Sequence, residues 1–174
     1  MELVRPSVIY KDSFLEAVEE LSEADRGQLV YNGLNIGDWK NDFSAYVARL
    51  LQLEKAPPKP LVNDTVWWAV EGSRVLGRIA FRHELTECLR NIGGHIGYAV
   101  RPSERKQGLA TEMLYQVLRT DLARKVGLVL VTCNEFNLAS IKTILKNGGV
   151  ASGFYQDPGE KGRTLHFWID TTQL

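Results

Sequence analysis

The sequence predicts an α/β protein, a mixed sheet of about seven strands flanked by about four helices, on three observations. Short segments with two-residue apolar alternation, or short unbroken apolar runs, recur along the chain and read as strands. Between several of them the apolar residues shift to a spacing of three and four, the period of an amphipathic helix. Glycine, proline, asparagine and aspartate punctuate the junctions. The resulting order is β-α-α-β-β-β-α-β-α-β-β, with no internal repeat or low-complexity stretch to compete with it.

Taken in order, Leu3 to Tyr10 forms a first strand that Pro6 restricts to an edge or an irregular start. A helix follows from about Ser13, where Phe14, Ala17, Val18 and Leu21 recur at helical spacing and Asp12 or Ser13 can cap. Residues 22–37 are loop-like, broken by Gly27, Asn32-Gly33 and Gly37. Asp38 or Asn41 opens a second helix carrying Phe43, Tyr46, Val47, Leu50 and Leu51, and Ala56-Pro57-Pro58-Lys59-Pro60 terminates it. Thr65 to Val70 and Arg74 to Phe81 are strands joined by Glu71-Gly72-Ser73, a hairpin link, with Trp67 and Trp68 on opposite faces. His95 to Val100 alternates Ile96, Tyr98 and Val100 with smaller residues, and Pro102 ends that strand because it has no N–H to donate. Leu114, Val117, Leu118 and Leu122 then form one helical stripe. Gly127 to Cys133 reads as a buried strand, Asn137 to Lys146 as a helix, and Val150 to Tyr155 and Thr164 to Ile169 as a final strand pair turned by Asp157-Pro158-Gly159.

A length of 174 residues is expected to make one domain, 1–174. Lys+Arg and Asp+Glu both total 21, so nothing points to nucleic acid or an acidic membrane surface as a partner. Cys88 and Cys133 are isolated and make neither a zinc site nor a disulfide framework, which suits a reduced, cytoplasmic setting with no metal. The N-terminus lacks an apolar signal region and no apolar run approaches membrane length, so a soluble protein is expected.

The informative stretch is GHIGYAVRPSERKQGLATEMLYQVL, a strand, a tight basic and glycine-containing turn, and a helix. The first helical turn leaves N–H groups without intrahelical partners and carries about +0.5 of effective charge, which makes it an anion site. Gly108 lets a ligand approach the backbone, Ala110 nearly so, and Arg105 and Lys106 add positive charge. The chemistry suits a pyrophosphate. Neither the triphosphate loop G-x-x-x-x-G-K followed by Ser or Thr, nor the dinucleotide G-x-G-x-x-G after a strand, is present.

The stretch resembles the GNAT superfamily of acyl-CoA-dependent N-acetyltransferases, whose pyrophosphate loop reads Arg/Gln-x-x-Gly-x-Gly/Ala between a strand and a helix. Arg105, Gly108 and Ala110 fill that pattern, with I-G-Y-A-V-x-P before it and E-M-L-Y-Q-V-L after it. The resemblance covers nearly the whole chain in element order and implies a GNAT-like, mostly antiparallel central sheet. It implies acetyl-CoA as co-substrate and an amine acceptor as the second partner. The backbone of Tyr98, Ala99 and Val100 would pair with the pantetheine arm, and the amides of Lys106, Gln107, Gly108, Leu109, Ala110 and Thr111 would hold the pyrophosphate. Asn137 and Ser140 fall near the cofactor at the opening of the last helix, where Asn137 is equally readable as a helix cap. Homodimers are common in the family. The strand ending at Val100 and the one ending at Cys133 would splay apart beyond Gly97, with Gly93, Gly94 and Gly97 allowing a bulge or a close backbone approach.

In the direct transfer that the resemblance implies, a neutral amine attacks the thioester in a ternary complex. An amine of pKa about 10.4 is neutral in only ~1 of 2,500 molecules at pH 7, a deficit of roughly 4.6 kcal/mol that a base or a shifted pKa must offset. Candidate bases are His95 first, then His83, Glu84 and Glu135. The tyrosine that many members carry seven positions after the asparagine is Ile144 here, which puts the usual acid in doubt. Cys133 is read as a core residue and not an acyl-cysteine nucleophile. For the acceptor end, Tyr31, Trp39, Phe43, Tyr46 and Trp67 are available, although aromatics at helical spacing usually pack in the core. Two functions follow: an N-acetyltransferase acting on a primary amine of a small molecule or peptide, or a non-catalytic acyl-CoA-binding sensor.

Overall fold

A computed structural model describes residues 1–22, 29–30, 41–159 and 162–174. Seven strands run β1 (Glu2–Val4), β2 (Asp64–Glu71), β3 (Arg74–Arg82), β4 (Ile96–Val100), β5 (Leu128–Asn134), β6 (Val150–Tyr155) and β7 (Thr164–Asp170). Six helices are found among the described residues: α1 (Lys11–Glu19), α2 (Phe43–Gln52), α3 (Glu87–Asn91), α4 (Leu109–Leu118), α5 (Asp121–Val126) and α6 (Leu138–Lys146). Hydrogen bonding orders the strands β1-β2-β3-β4-β5-β7-β6 in one sheet. β4 and β5 are parallel, while β1 with β2, β5 with β7 and β6 with β7 are antiparallel. The mixed sheet expected from the sequence is therefore present. The chain divides into two compact units, Met1–Ala80 with Tyr98–Leu109, and Phe81–Gly97 with Ala110–Leu174.

In the first unit, α1 and α2 lay an aromatic core on β2. Phe14 stacks on Trp68 at 4.7 Å between ring centres, and Phe43 and Tyr46 lie 5.5 and 5.4 Å from Phe14. Phe43 and Tyr46 are thus core residues and not part of an acceptor surface, because burying a large ring is worth more than displaying it. Tyr31 and Trp39 lie outside the described residues, as do Gly27, Asn32-Gly33, Gly37 and the proposed helix start at Asp38. The start of α2 is Phe43, capped by Asp42, whose carboxylate accepts the Ala45 N–H at 2.9 Å. Asn41 is therefore one residue outside the cap. α1 begins at Lys11, behind a short 3-10 turn at Val8–Tyr10 capped by Ser7. Ser13 lies inside that helix and accepts the Val75 N–H at 2.9 Å, which removes it as a cap. The link between β2 and β3 is the two residues Gly72-Ser73, and Gly72 supplies the positive φ of +57° that such a tight hairpin turn requires. At Gly77 a Cβ would lie 2.5 Å from the Ala99 carbonyl, so glycine permits the close approach of β3 to β4.

In the second unit, β5 pairs with β7 from Leu128 with Asp170 to Asn134 with Thr164, but only its middle, Val129 to Val131, is buried, while Leu128 and Asn134 at its ends are exposed. Two helical features depart from the sequence reading. The stripe Leu114, Val117, Leu118, Leu122 does not belong to one helix: Thr120 takes an extended conformation and caps a separate α5 through the Ala123 N–H at 3.2 Å. Leu122 falls beyond that break. The segment 83–94 also contains α3, capped by Thr86 through the Leu89 N–H at 3.2 Å. Its five residues are too short to show a helical period.

Candidate functional site

The turn after β4 is held from several sides. Arg101 is buried, its Nε donating to Glu20 at 2.6 Å and its Nη2 to Glu16 at 3.4 Å, both on or just after α1. Glu20 also accepts the Ser103 N–H at 3.0 Å. Burial raises the Glu20 carboxyl, but hydrogen bonds from Ser103 and Arg101 outweigh it and hold the group below its ordinary range. Arg74 donates from Nε and Nη2 to Glu104 at 3.0 and 2.8 Å, and Gln107 donates to the other oxygen of the same carboxylate at 3.2 Å. Arg105 folds back, its Nε donating to the Val100 carbonyl at 3.2 Å.

Between these anchors the backbone of Lys106 has φ +65° and that of Gly108 φ +83°. Lys106 is the sole non-glycine residue with positive φ among the described residues. Alternation of ordinary and left-handed residues turns successive N–H groups toward one side and makes an anion-binding concavity. A Cβ on Gly108 would meet nothing within 4 Å, so the space above the turn is open. Among the described residues, the amides from Lys106 to Thr111 have no protein acceptor, and they run into the first turn of α4. Open space, unpaired donors and two cationic side chains fit a pyrophosphate.

The other expected cofactor residues are placed as follows. Tyr98, Ala99 and Val100 form the last three residues of β4, with Ala99 buried and the Val100 carbonyl engaged by Arg105. Asn137 caps α6, its side-chain oxygen accepting the Ser140 N–H at 3.0 Å. Ile144, about two turns along α6 from Asn137, is fully buried and lies against Gly149, so no proton donor stands at that position.

His95 precedes β4 and is 6 % exposed. Its Nδ1 accepts the Leu130 N–H at 2.9 Å, its backbone N–H donates to the Leu130 carbonyl at 2.8 Å, and its own carbonyl accepts from Arg82 at 2.7 Å. The ring stacks beside Phe81. Burial, then the charges of Arg90 and Arg82, pull its pKa from 6.5 down to about 4. The lone pair of Nδ1 is committed and Nε2 carries the proton, so the ring offers an N–H donor. This geometry argues against the expected role of His95 as general base.

The remaining candidates lie apart from one another in chemistry. Glu135 is clamped by Arg163, which donates from its backbone N–H at 2.7 Å and from Nε and Nη2 at 2.9 and 2.8 Å. These contacts hold its carboxyl below the ordinary range and weaken it as a base. His83 and Glu84 directly follow β3, His83 half-buried and Glu84 exposed. Cys133 is half-buried and its thiol is pushed up to about 11 by burial, so no thiolate forms near neutral pH. The sequence reading missed Arg82, whose Nη1 donates to the Gly93 and Gly94 carbonyls at 3.1 Å each, and Thr132, which accepts the Gly93 N–H at 3.0 Å. It also missed the role of Arg74. These partners stand 11 to 39 residues away in sequence, and no local pattern pairs them.

The His95 geometry predicts a specific acid sensitivity. Its folded pKa lies below its unfolded one, so the unfolded chain binds more protons between about 4 and 6.5. The stabilisation is complete above pH 6.5 and is lost as pH falls through about 4, at most about 3 kcal/mol. His95→Asn retains an acceptor for Leu130 and removes the titration. Urea unfolding from pH 7 to pH 4 should show a shallower loss of stability in the variant, and equal slopes would refute the assignment.

Residues 39–150 match the family model described as an acetyltransferase (GNAT) domain. No curated protein sequence gives a significant match. Among solved structures, the chain resembles the microcin C7 self-immunity acetyltransferase MccE in complex with acetyl-CoA and AMP, at TM-score 0.69 and 12 % identity over 97 % of this chain and 91 % of that one. It resembles yncA, a putative acetyltransferase from Salmonella typhimurium with acetyl-CoA, at TM-score 0.60 and 17 % identity over 98 % and 93 %. It also resembles RimL, a ribosomal L7/L12 alpha-N-protein acetyltransferase in complex with coenzyme A, at TM-score 0.66 and 12 % identity over 98 % and 93 %. At these identities the likeness concerns the fold.

Proposed function

The chain belongs to the acetyltransferase (GNAT) family, and from that premise we propose that 1–174 acts as one domain, an N-acetyltransferase that moves the acetyl group of acetyl-CoA to a primary amine of a small molecule or peptide in a ternary complex. The observation that carries the proposal is the turn from Arg105 to Thr111, with its open space above Gly108 and its unpaired amides. Those amides and the positive end of α4 bind the pyrophosphate, and Arg105 and Lys106 add charge. Tyr98, Ala99 and Val100 offer backbone groups to the pantetheine arm, and the resemblance adds Ser140 and Asn137 as cofactor residues, Asn137 being also the cap of its helix.

When bound, acetyl-CoA supplies a thioester carbonyl that a neutral amine attacks. The chain must then accept one proton from the amine. With Nδ1 of His95 engaged and Glu135 clamped, His83 and Glu84 are the proton acceptors we assign, acting directly or through water. No acid is assigned to the departing thiol, because Ile144 stands at the usual tyrosine position and a thiol of pKa about 8.5 leaves as a thiolate without one. The buried Ile144 also favours a second reading, an acyl-CoA-binding sensor without turnover.

One preparation separates the two. Calorimetric titration of acetyl-CoA, followed by a thiol-release screen over small amines, peptides and protein N-termini, should show binding and then release with one acceptor class. Loss of that release in Glu84→Gln or His83→Gln identifies the base. Binding with no release on any acceptor would favour the sensor, and no binding would sink both.

A further inference from the structure

We propose that Arg74 is a positioning residue of the anion loop, holding and neutralising the Glu104 carboxylate so that it does not oppose a bound phosphate. The inference rests on the acetyl-CoA reading of the Arg105 to Thr111 turn. Glu104 is the sole acidic residue from Arg101 to Thr111, and it directly precedes Arg105. An uncompensated carboxylate there would subtract from the potential that the amides, Arg105 and Lys106 create.

The carboxylate is nevertheless built in. Its Oε2 accepts from Gln107, which sits between the two left-handed residues Lys106 and Gly108, so Glu104 braces the turn at its middle. Its Oε1 accepts two N–H groups from Arg74, at 3.0 and 2.8 Å, and a third Arg74 contact reaches the Ser103 hydroxyl at 3.3 Å. Arg74 opens β3, thirty residues before Glu104, so the sheet supplies the countercharge from outside the loop. A rigid guanidinium fork suits this task better than lysine, because it fixes the carboxylate in direction as well as charge.

Magnitudes separate this role from simple stabilisation. The Arg74 side chain is 44 % exposed and that of Glu104 19 %, so water screens the pair and it adds little to folding. Arg74→Ala should therefore melt within a few degrees of the parent. Its effect appears in binding instead, where one added negative charge near the phosphates weakens affinity.

The test is calorimetric titration of coenzyme A into the parent, Arg74→Ala and the double variant Arg74→Ala with Glu104→Gln, at low and moderate salt. The dissociation constant should rise roughly three- to tenfold in Arg74→Ala at low salt, and the gap should narrow as salt is added. The double variant should return to within about twofold of the parent, since the neutral amide keeps its acceptor oxygen and removes the charge. Arg74→Gln is the parallel variant if the alanine protein folds poorly. Unchanged affinity on losing Arg74, or a double variant as weak as the single one, overturns the inference alone. A parent protein that does not bind coenzyme A overturns the acetyl-CoA reading, and this inference falls with it.

Discussion

Replacing Gly108 with glutamate abolishes coenzyme A binding, with a dissociation constant expected to rise by about a hundredfold or more. Two effects combine. The side chain enters space that holds no protein atom within 4 Å, the space assigned to the pyrophosphate, and it brings a carboxylate to a site built to attract anions. The residue must also keep φ +83°, which costs a residue with a Cβ about 1–2 kcal/mol. Gly108→Ala separates the two, since it carries the strain and the bulk of one methyl but no charge. Titration of coenzyme A into both proteins should show a moderate loss for alanine and a loss beyond detection for glutamate. Retained affinity in Gly108→Glu would mean that this turn does not hold the phosphates.

Gly94→Ala should be the most damaging small substitution in the second unit. Gly94 has φ +60°, and a Cβ there would lie 2.5 Å from the Leu130 carbonyl oxygen and 3.1 Å from its carbon. Backbone cannot retreat as a flexible side chain can, so the strand pairing at His95 and Leu130 must shift. Left-handed strain of about 1 kcal/mol and overpacking of about 2–3 kcal/mol sum to roughly 3–4 kcal/mol. For a protein of this size that corresponds to a fall in Tm of about 10 °C. Gly72→Ala is the matched control, because Gly72 has φ +57° and open space around it. Thermal and urea unfolding should place Gly72→Ala within about 1–2 kcal/mol of the parent and Gly94→Ala well below it. Equal losses would show that the approach to Leu130 is not limiting.

The same two glycines mark how far sequence reasoning reaches. Gly108 announced itself as a turn residue, because the signal is local: a strand end, basic residues, a glycine and a helix start lie within a dozen consecutive positions. Strand and helix order was readable for the same reason, since periodicity is a property of neighbouring residues. It failed where the signal was short or doubled. Five residues of α3 show no period, and Leu122 kept the spacing of α4 while Thr120, a strong cap, ended one helix and began another.

By itself, then, the sequence determined the order of the strands, the buried stripes of the longer helices and the place of the turn between β4 and α4, because each follows from local spacing and backbone sterics. Only the tertiary structure decided what the polar side chains do. His95, read as a free base on a strand, gives its Nδ1 lone pair to Leu130 and loses its basicity to burial. Glu135 is consumed by Arg163, Glu104 is balanced by Arg74, and Arg82 fixes the Gly93-Gly94 carbonyls. A side chain's pKa and partners depend on which distant segment folds against it, and that information is nowhere in its neighbours along the chain.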